Sequence, residues 1–120
     1  MIRFELPFRL PGLNEYIAAM NSNRHRGNAL KRQTQDVILW AIKAQKVPPV
    51  QKPVTVIFEW HESTKRRDKD NVAGAKKFIL DALQEAKILP NDNNKWIVSF
   101  SDLFVYDKTD GVTVTLMEVA

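Results

Sequence analysis

Within Lys65-Arg66-Arg67-Asp68-Lys69-Asp70-Asn71, two carboxylates stand two residues apart inside a run of positive charge. The cations would draw in a phosphate backbone, and paired acids among them could hold a hard divalent cation. If the chain is extended here, alternate side chains share a face, so Asp68 and Asp70 converge while Lys69 points away. Magnesium binds through a few carboxylates, several waters and a substrate phosphate, so a third acid would complete a hydrolytic site. Asp92, in the turn Leu89-Pro90-Asn91-Asp92-Asn93-Asn94, is the best placed. Lys76 and Lys77 lie close enough in sequence for one ammonium to reach a scissile phosphate, and Asp81, four residues after Lys77, could orient it.

Each residue also has a plainer role. Asp-Lys-Asp occurs in many solvated segments, Asp92 among asparagines is ordinary turn chemistry, and both lysines suit an exposed helix face. His61 could act as a base and Glu59 could approach a metal, but a structural histidine and a salt bridge are the more economical readings. Trp40, Trp60 and Trp96 all fall within predicted helix or strand, which favours core packing over base stacking.

These groups must be positioned by a small fold. The 120 residues are 44% hydrophobic, enough for one domain with a modest core, and the charge of +4 suits a polyanionic partner without requiring one. The absence of cysteine removes disulfides, thiolate zinc sites and thiol nucleophiles, and fits a reducing compartment. The opening Met1-Ile2-Arg3-Phe4-Glu5-Leu6 lacks the apolar stretch of a signal peptide, and the longest apolar run, Val37 to Ile42, is too short to cross a bilayer. A cytoplasmic protein with no membrane partner is expected.

Alternation over Ile2 to Leu6 predicts a strand, and Leu13 to about Asn21 a short helix. Asn21 to Gly27 reads as an exposed basic loop. Leu30, Val37, Ile38, Trp40, Ala41 and Ala44 recur at helical spacing and predict a helix over Asn28 to Gln45. Three prolines make Lys46 to Pro53 a connector. Val54 to Trp60, apolar on both faces, predicts a central strand. A third helix over Val72 to Ala86 buries Val72, Ala75, Ile79, Leu83 and Ala86, with Asn71 as its N-cap. Strands over Trp96 to Tyr106 and Val112 to Val119 follow, joined by Asp107 to Gly111, whose Asp-Gly end signals a hairpin. The class is α+β: residues 1–120 form a single domain with a small mixed or mostly antiparallel β-sheet and helices packed on it.

The order of a strand, Arg66-Arg67-Asp68-Lys69-Asp70-Asn71, a helix with Lys77 four residues before Asp81-Ala82-Leu83, and then Leu89-Pro90-Asn91-Asp92 resembles the RusA family of Holliday junction resolvases. The likeness is best over Lys65 to Asn94 and general elsewhere, where Pro11-Gly12-Leu13-Asn14 also matches the family pattern. It implies a homodimeric, Mg²⁺-dependent crossover junction endodeoxyribonuclease that resolves four-way DNA junctions by paired nicks, as many phages and prophages encode. By position, Asp68, Asp70 and Asp92 would hold the metal and Lys77 would be the catalytic lysine. The segment between Asn71 and Asp81 is longer than the family pattern, so Lys76 is the alternative. Where the family often has two adjacent acids in the last turn, Asn91-Asp92 leaves only one. Arg66, Arg67, Lys69, Lys76, Arg24, Arg26, Lys31 and Arg32 would bind backbone phosphates. A non-catalytic DNA-binding module of the same fold and a nuclease for other branched DNA are the alternative functions.

Overall fold

Alternation of buried and half-buried side chains along Val54–Glu62 (β2) marks a strand interior to a sheet. In the computed structural model, which describes residues 1–119, β2 lies in a four-stranded mixed sheet with Ile2–Leu6 (β1), Ile97–Tyr106 (β3) and Gly111–Glu118 (β4), in the order β1-β4-β2-β3. β4 runs antiparallel to both β1 and β2, whereas β3 runs parallel to β2. The α+β class holds.

The hairpin expected from Asp110-Gly111 does not form, because β2 lies between the two strands it would have joined. The connecting residues instead straddle the end of β2. The Asp107 N–H donates to the Glu62 carbonyl at 3.2 Å, and Asp110 accepts the Ser63 N–H at 2.7 Å. Local Asp-Gly turn chemistry gives way to the tertiary anchoring of the loop across β2.

One sheet face, lined by Phe4, Leu6, Val56, Phe58, Trp60, Val114 and Leu116, packs into the core with Ile38, Ile42, Ile79 and Leu83 from the helices. The register places Arg3, Glu5, Glu59, His61, Thr113 and Thr115 on the other face. His61 and Glu59 therefore face away from the helix that carries Lys76 and Lys77.

Leu13–Ser22 (α1) and Arg24–Ala44 (α2) are separated by Asn23 alone. The basic segment read as a loop is thus mostly helical. Extended backbone at Asn23 ends α1, and its side chain caps α2 by accepting the Arg26 N–H at 2.8 Å. Gly27 permits the tight crossing, since a Cβ there would lie 1.9 Å from Met20 Sδ and 3.0 Å from its Cα. The buried stripe of α2 contains Thr34, Gln35, Ile38, Ala41 and Ile42. Val37 and Trp40 lie outside it, and Trp40, at 70% exposed, is not a core residue.

The predicted third helix is two helices, Lys69–Ala73 (α3) and Lys76–Glu85 (α4), joined at Gly74-Ala75. Of its apolar stripe, Val72, Ala75, Ile79 and Leu83 are buried, while Ala86, just past the end of α4, is only half-buried. No helix among the described residues is long and apolar enough to cross a membrane.

α2 and α4 end alike. After α4, the Lys87 N–H donates to Gln84 O at 3.0 Å and the Ile88 N–H to Leu83 O at 2.9 Å; after α2, the Lys46 N–H donates to Lys43 O and the Val47 N–H to Ile42 O. These are Schellman closures with lysine where glycine is favoured, at φ 53° for Lys46 and 61° for Lys87. A left-handed L-residue costs about 1–2 kcal/mol, and glycine gives back about 0.5–1 kcal/mol through its freer unfolded chain. Lys46→Gly and Lys87→Gly should each stabilise the fold by about 0.5–1 kcal/mol. Urea unfolding checks this; a lower midpoint for either variant would show that its lysine contributes more through its side chain than its backbone costs.

Candidate active site

Beyond β2 the chain turns under the control of Arg67. Its guanidinium forms a fork with Glu62, Nε to Oε1 at 2.9 Å and Nη2 to Oε2 at 2.7 Å, while Nη1 donates to the Leu10 carbonyl at 3.0 Å. The two side chains are only 13% and 9% exposed. Arg67 is therefore not free to meet a phosphate, contrary to the expectation for it; it clamps the motif to the end of β2 and to the segment before α1. Glu15 joins the edge of this network through Arg9 at 2.8 Å and Arg67 at 3.4 Å. Burial would raise the Glu15 pKa, but hydrogen bonds from Arg9 and from the Gly12 N–H, with the charges of Arg9 and Arg67, hold it below its ordinary value.

Past Arg67 the extended geometry expected for Asp68-Lys69-Asp70 gives way to helix. Asp68 occupies the N-cap position of α3 without capping it through its side chain, and Asp70 lies in the first turn. The simple alternation that would have aligned the two carboxylates is absent. Both are exposed, and among the described residues neither side chain has a hydrogen-bond or ion-pair partner. Asn71, expected to cap the helix, is buried within it and accepts the Asn14 N–H at 2.8 Å, satisfying a donor at the start of α1.

The neighbouring cations turn elsewhere. Lys69 Nζ lies 5.6 Å from the Phe104 ring centroid and 5.4 Å from that of Tyr106, and Lys65 Nζ lies 5.0 Å from Tyr106. Arg66 uses its backbone N–H toward Thr64, and its guanidinium has no acidic partner among the described residues.

The two candidate lysines of α4 are sharply distinguished. Lys77 Nζ lies 2.9 Å from Asp81 Oδ1 and 3.3 Å from Asp92 Oδ2, so the turn after α4 does return to the start of that helix. The Asp81 hydrogen bond raises the Lys77 pKa, burial opposes it, and Asp92 adds to the rise, keeping the amine charged. Lys76 instead pairs with Asp102 at 2.8 Å and lies over the rings of Phe58 and Phe100. Of the two, Lys77 meets the predicted acid. A cleft of about 300 Å³ beside it is lined by Leu13, Tyr16, Lys31, Gly74 and Phe78.

Asp102 is the residue that sequence reasoning missed. Its second oxygen accepts the Trp60 Nε1–H at 2.8 Å, so it ties β3, β2 and α4 together. A lone acid between Phe100 and Phe104, on their side of an apolar strand, was the available signal.

The remaining basic candidates divide. Arg24 and Arg26, in the first turn of α2, are exposed and have no acidic partner among the described residues. Lys31 lies 3.7 Å from Asp81, and Arg32 is committed to Glu85 at 2.9 Å and Asp36 at 2.6 Å. His61 sits between Asp107 and Thr113 on the far sheet face. The Thr109 N–H chiefly, and then His61, hold the Asp107 carboxyl below its usual range.

Among the described residues, no three histidine, aspartate or glutamate side chains stand close enough to hold a metal ion. Asp68, Asp70 and Asp92 are hard oxygen donors of the right type, and the first two are unengaged, but they do not form a ready three-acid cage. No protein-family model and no curated protein matches the sequence.

Removing either partner of the clamp leaves a charge buried without its counter-ion. Arg67→Ala and Glu62→Ala should each destabilise the fold by about 3–5 kcal/mol, with the double variant well short of the sum. Denaturant melts of the three proteins test this; additive losses would mean that the fork carries no coupling.

Proposed function

We propose that the chain is a Mg²⁺-dependent endonuclease of the RusA type, cutting four-way DNA junctions as a homodimer whose two sites nick symmetrically. The observation that carries the reading is the Lys77 ammonium held between Asp81 and Asp92, on a helix that follows two unpaired carboxylates, Asp68 and Asp70, in a basic segment. This is the combination on which the resemblance rests, and its spacing in sequence becomes contact for the lysine and the last acid.

Asp68, Asp70 and Asp92 would hold the ion. Magnesium bound there would supply Lewis-acid polarisation of the phosphate and a water of lowered pKa. Lys77, kept protonated by its two acidic neighbours, neutralises charge developing on phosphate oxygens, and Asp81 sets its position. An ammonium so stabilised suits charge neutralisation, not proton abstraction. Arg66, Lys69, Arg24 and Arg26 bind backbone phosphates, which supplies affinity without sequence readout. Junction shape is then recognised by the spacing of two such basic surfaces in the dimer.

A non-catalytic junction-binding module is favoured by one observation, the lack of a three-acid cage. Incubation with Mg²⁺ and labelled four-way, forked and linear DNA separates the readings. Paired nicks confined to the four-way junction are expected; binding without cleavage would establish the module, and cleavage of forks alone the broader nuclease.

Asp70→Asn should abolish nicking while leaving junction binding intact or tighter, because a ligand and a repulsive charge are lost together. Lys77→Ala should slow cleavage more than about tenfold, the loss of a transition-state contact of roughly 1.4 kcal/mol or more. Lys76→Ala should act through stability instead. Wild-type rates for both Asp70→Asn and Lys77→Ala would overturn the assignment. Arg66→Ala should reduce the slope of log K against log salt by about 0.9, one phosphate contact.

A further inference from the structure

The two edges of the sheet are built differently. β1 has five residues and carries Arg3 and Glu5, which protects an edge by shortness and charge. β3 has ten residues without proline, lysine or arginine, and its one charged side chain, Asp102, is neutralised by Lys76. β3 also packs almost wholly against β2, with little helix over it.

The register with β2 places Phe100, Asp102, Phe104 and Tyr106 opposite Val56, Phe58, Trp60 and Glu62, on the helix-bearing face. Phe100 is nonetheless 45% exposed and Tyr106 36%. Ammonium groups lie over these rings: Lys76 4.6 Å from the Phe100 centroid, Lys69 over Phe104 and Tyr106, and Lys65 over Tyr106. The strip therefore combines part-exposed aromatic rings with ammonium groups set beside them.

An unpaired DNA strand has the complementary chemistry, with apolar base faces and one phosphate per nucleotide. Same-side residues of a strand are about 6.8 Å apart, matching two stacked nucleotides at roughly 3.4 Å each. A second copy of this chain is the poorer match. Paired across this edge, it would bring its own Lys65 and Lys69 toward these ammonium groups.

We infer that Phe100, Phe104 and Tyr106 on β3 form a stacking surface for the unpaired nucleotides of a DNA branch point, with Lys65 and Lys69 taking the flanking phosphates. The inference deepens the branched-DNA reading and rests on it. It adds base-face recognition at the strand that directly follows the Asp92 turn, where a junction's exchange point would lie.

The test is fluorescence anisotropy of a labelled oligothymidylate and of a duplex of equal length, in EDTA, with wild type, Phe100→Ala, Tyr106→Ala and Tyr106→Phe. Each alanine variant should bind the single strand about five- to a hundredfold more weakly while its duplex affinity changes less than about twofold. Tyr106→Phe should bind like wild type, since stacking needs the ring and not the hydroxyl; being near-isosteric, it also keeps the test open if an alanine variant unfolds. Equal losses on both DNAs, or no loss on the single strand, would overturn the inference. So would a loss of single-strand affinity that appears only with a dimer-to-monomer shift in light scattering, which would make the edge a self-association surface. Junction cleavage measured in parallel separates the two failures: cleavage without single-strand binding removes the stacking surface alone, and ring-dependent single-strand binding without cleavage removes the nuclease alone.

Discussion

The local geometry of the candidate site depends on how closely the start of α1 approaches the break between α3 and α4. A Cβ on Gly12 would lie 2.5 Å from Asn71 Oδ1, and one on Gly74 would lie 2.5 Å from Leu13 Cβ. Two glycines on opposite sides of the contact let the backbones meet, and the buried Asn71 carbonyl then takes the Asn14 N–H. The helix gives way to a turn at Gly74-Ala75, where Gly74 packs on Leu13. That break sets α3 apart from α4, and so separates the segment bearing Asp68 and Asp70 from the helix bearing Lys77. The Pro-Gly-Leu-Asn and Asp-Asn segments, far apart in sequence, are two halves of one joint.

Charge is distributed by the same economy. The two most buried ionic side chains, Arg67 and Glu62, satisfy each other in a fork, which is the geometry that makes burial of an ion pair tolerable. Lys76 is matched by Asp102 and Lys77 by two acids, while Lys65 and Lys69 lean on aromatic rings. Asp68 and Asp70 are left over in a segment that carries four cations. Exposed pairs of this kind are each worth little to the fold. Leaving two carboxylates unpaired therefore costs the fold little, and leaves them available to a ligand.

Periodicity conveyed the strands, the apolar stripe of α4 and the class of the fold, because burial on one face leaves a direct trace in the order of residues. It failed where tertiary contact decides. The Asn21 to Gly27 segment has turn-forming residues, yet it is helical because Asn23 caps α2 and Gly27 packs on Met20. Asp110-Gly111 looks like a hairpin, but pairing with β2 outweighs the local preference. At the site, the Lys77 contact with Asp81 was readable from i,i+4 spacing, but its contact with Asp92 was not, since that acid was expected beside Asp68 and Asp70. Arg67 was not, since a guanidinium in a basic run gives no sign that a glutamate five residues earlier will take it inward. Asp102 was hidden for the same reason: its partners, Trp60 and Lys76, lie 42 and 26 residues away.

Asp102 also bears on why the long apolar edge is tolerable in a free protein. An inward-pointing charge is one of the ways natural sheets discourage another strand from adding to an exposed edge. Here the charge faces Lys76 from the middle of β3, so any strand laid alongside must lie against a paired but polar centre flanked by phenylalanines. A polypeptide strand with apolar side chains fits that centre poorly. A flexible polyanion with planar bases can place its rings on either side and its phosphates toward Lys65 and Lys69. The same pair braces Trp60 and the start of α4, which makes the edge strand and the lysine-bearing helix one mechanical unit; Lys76 and Lys77 are neighbours on that helix, one turned to the edge strand and the other to the Asp92 turn.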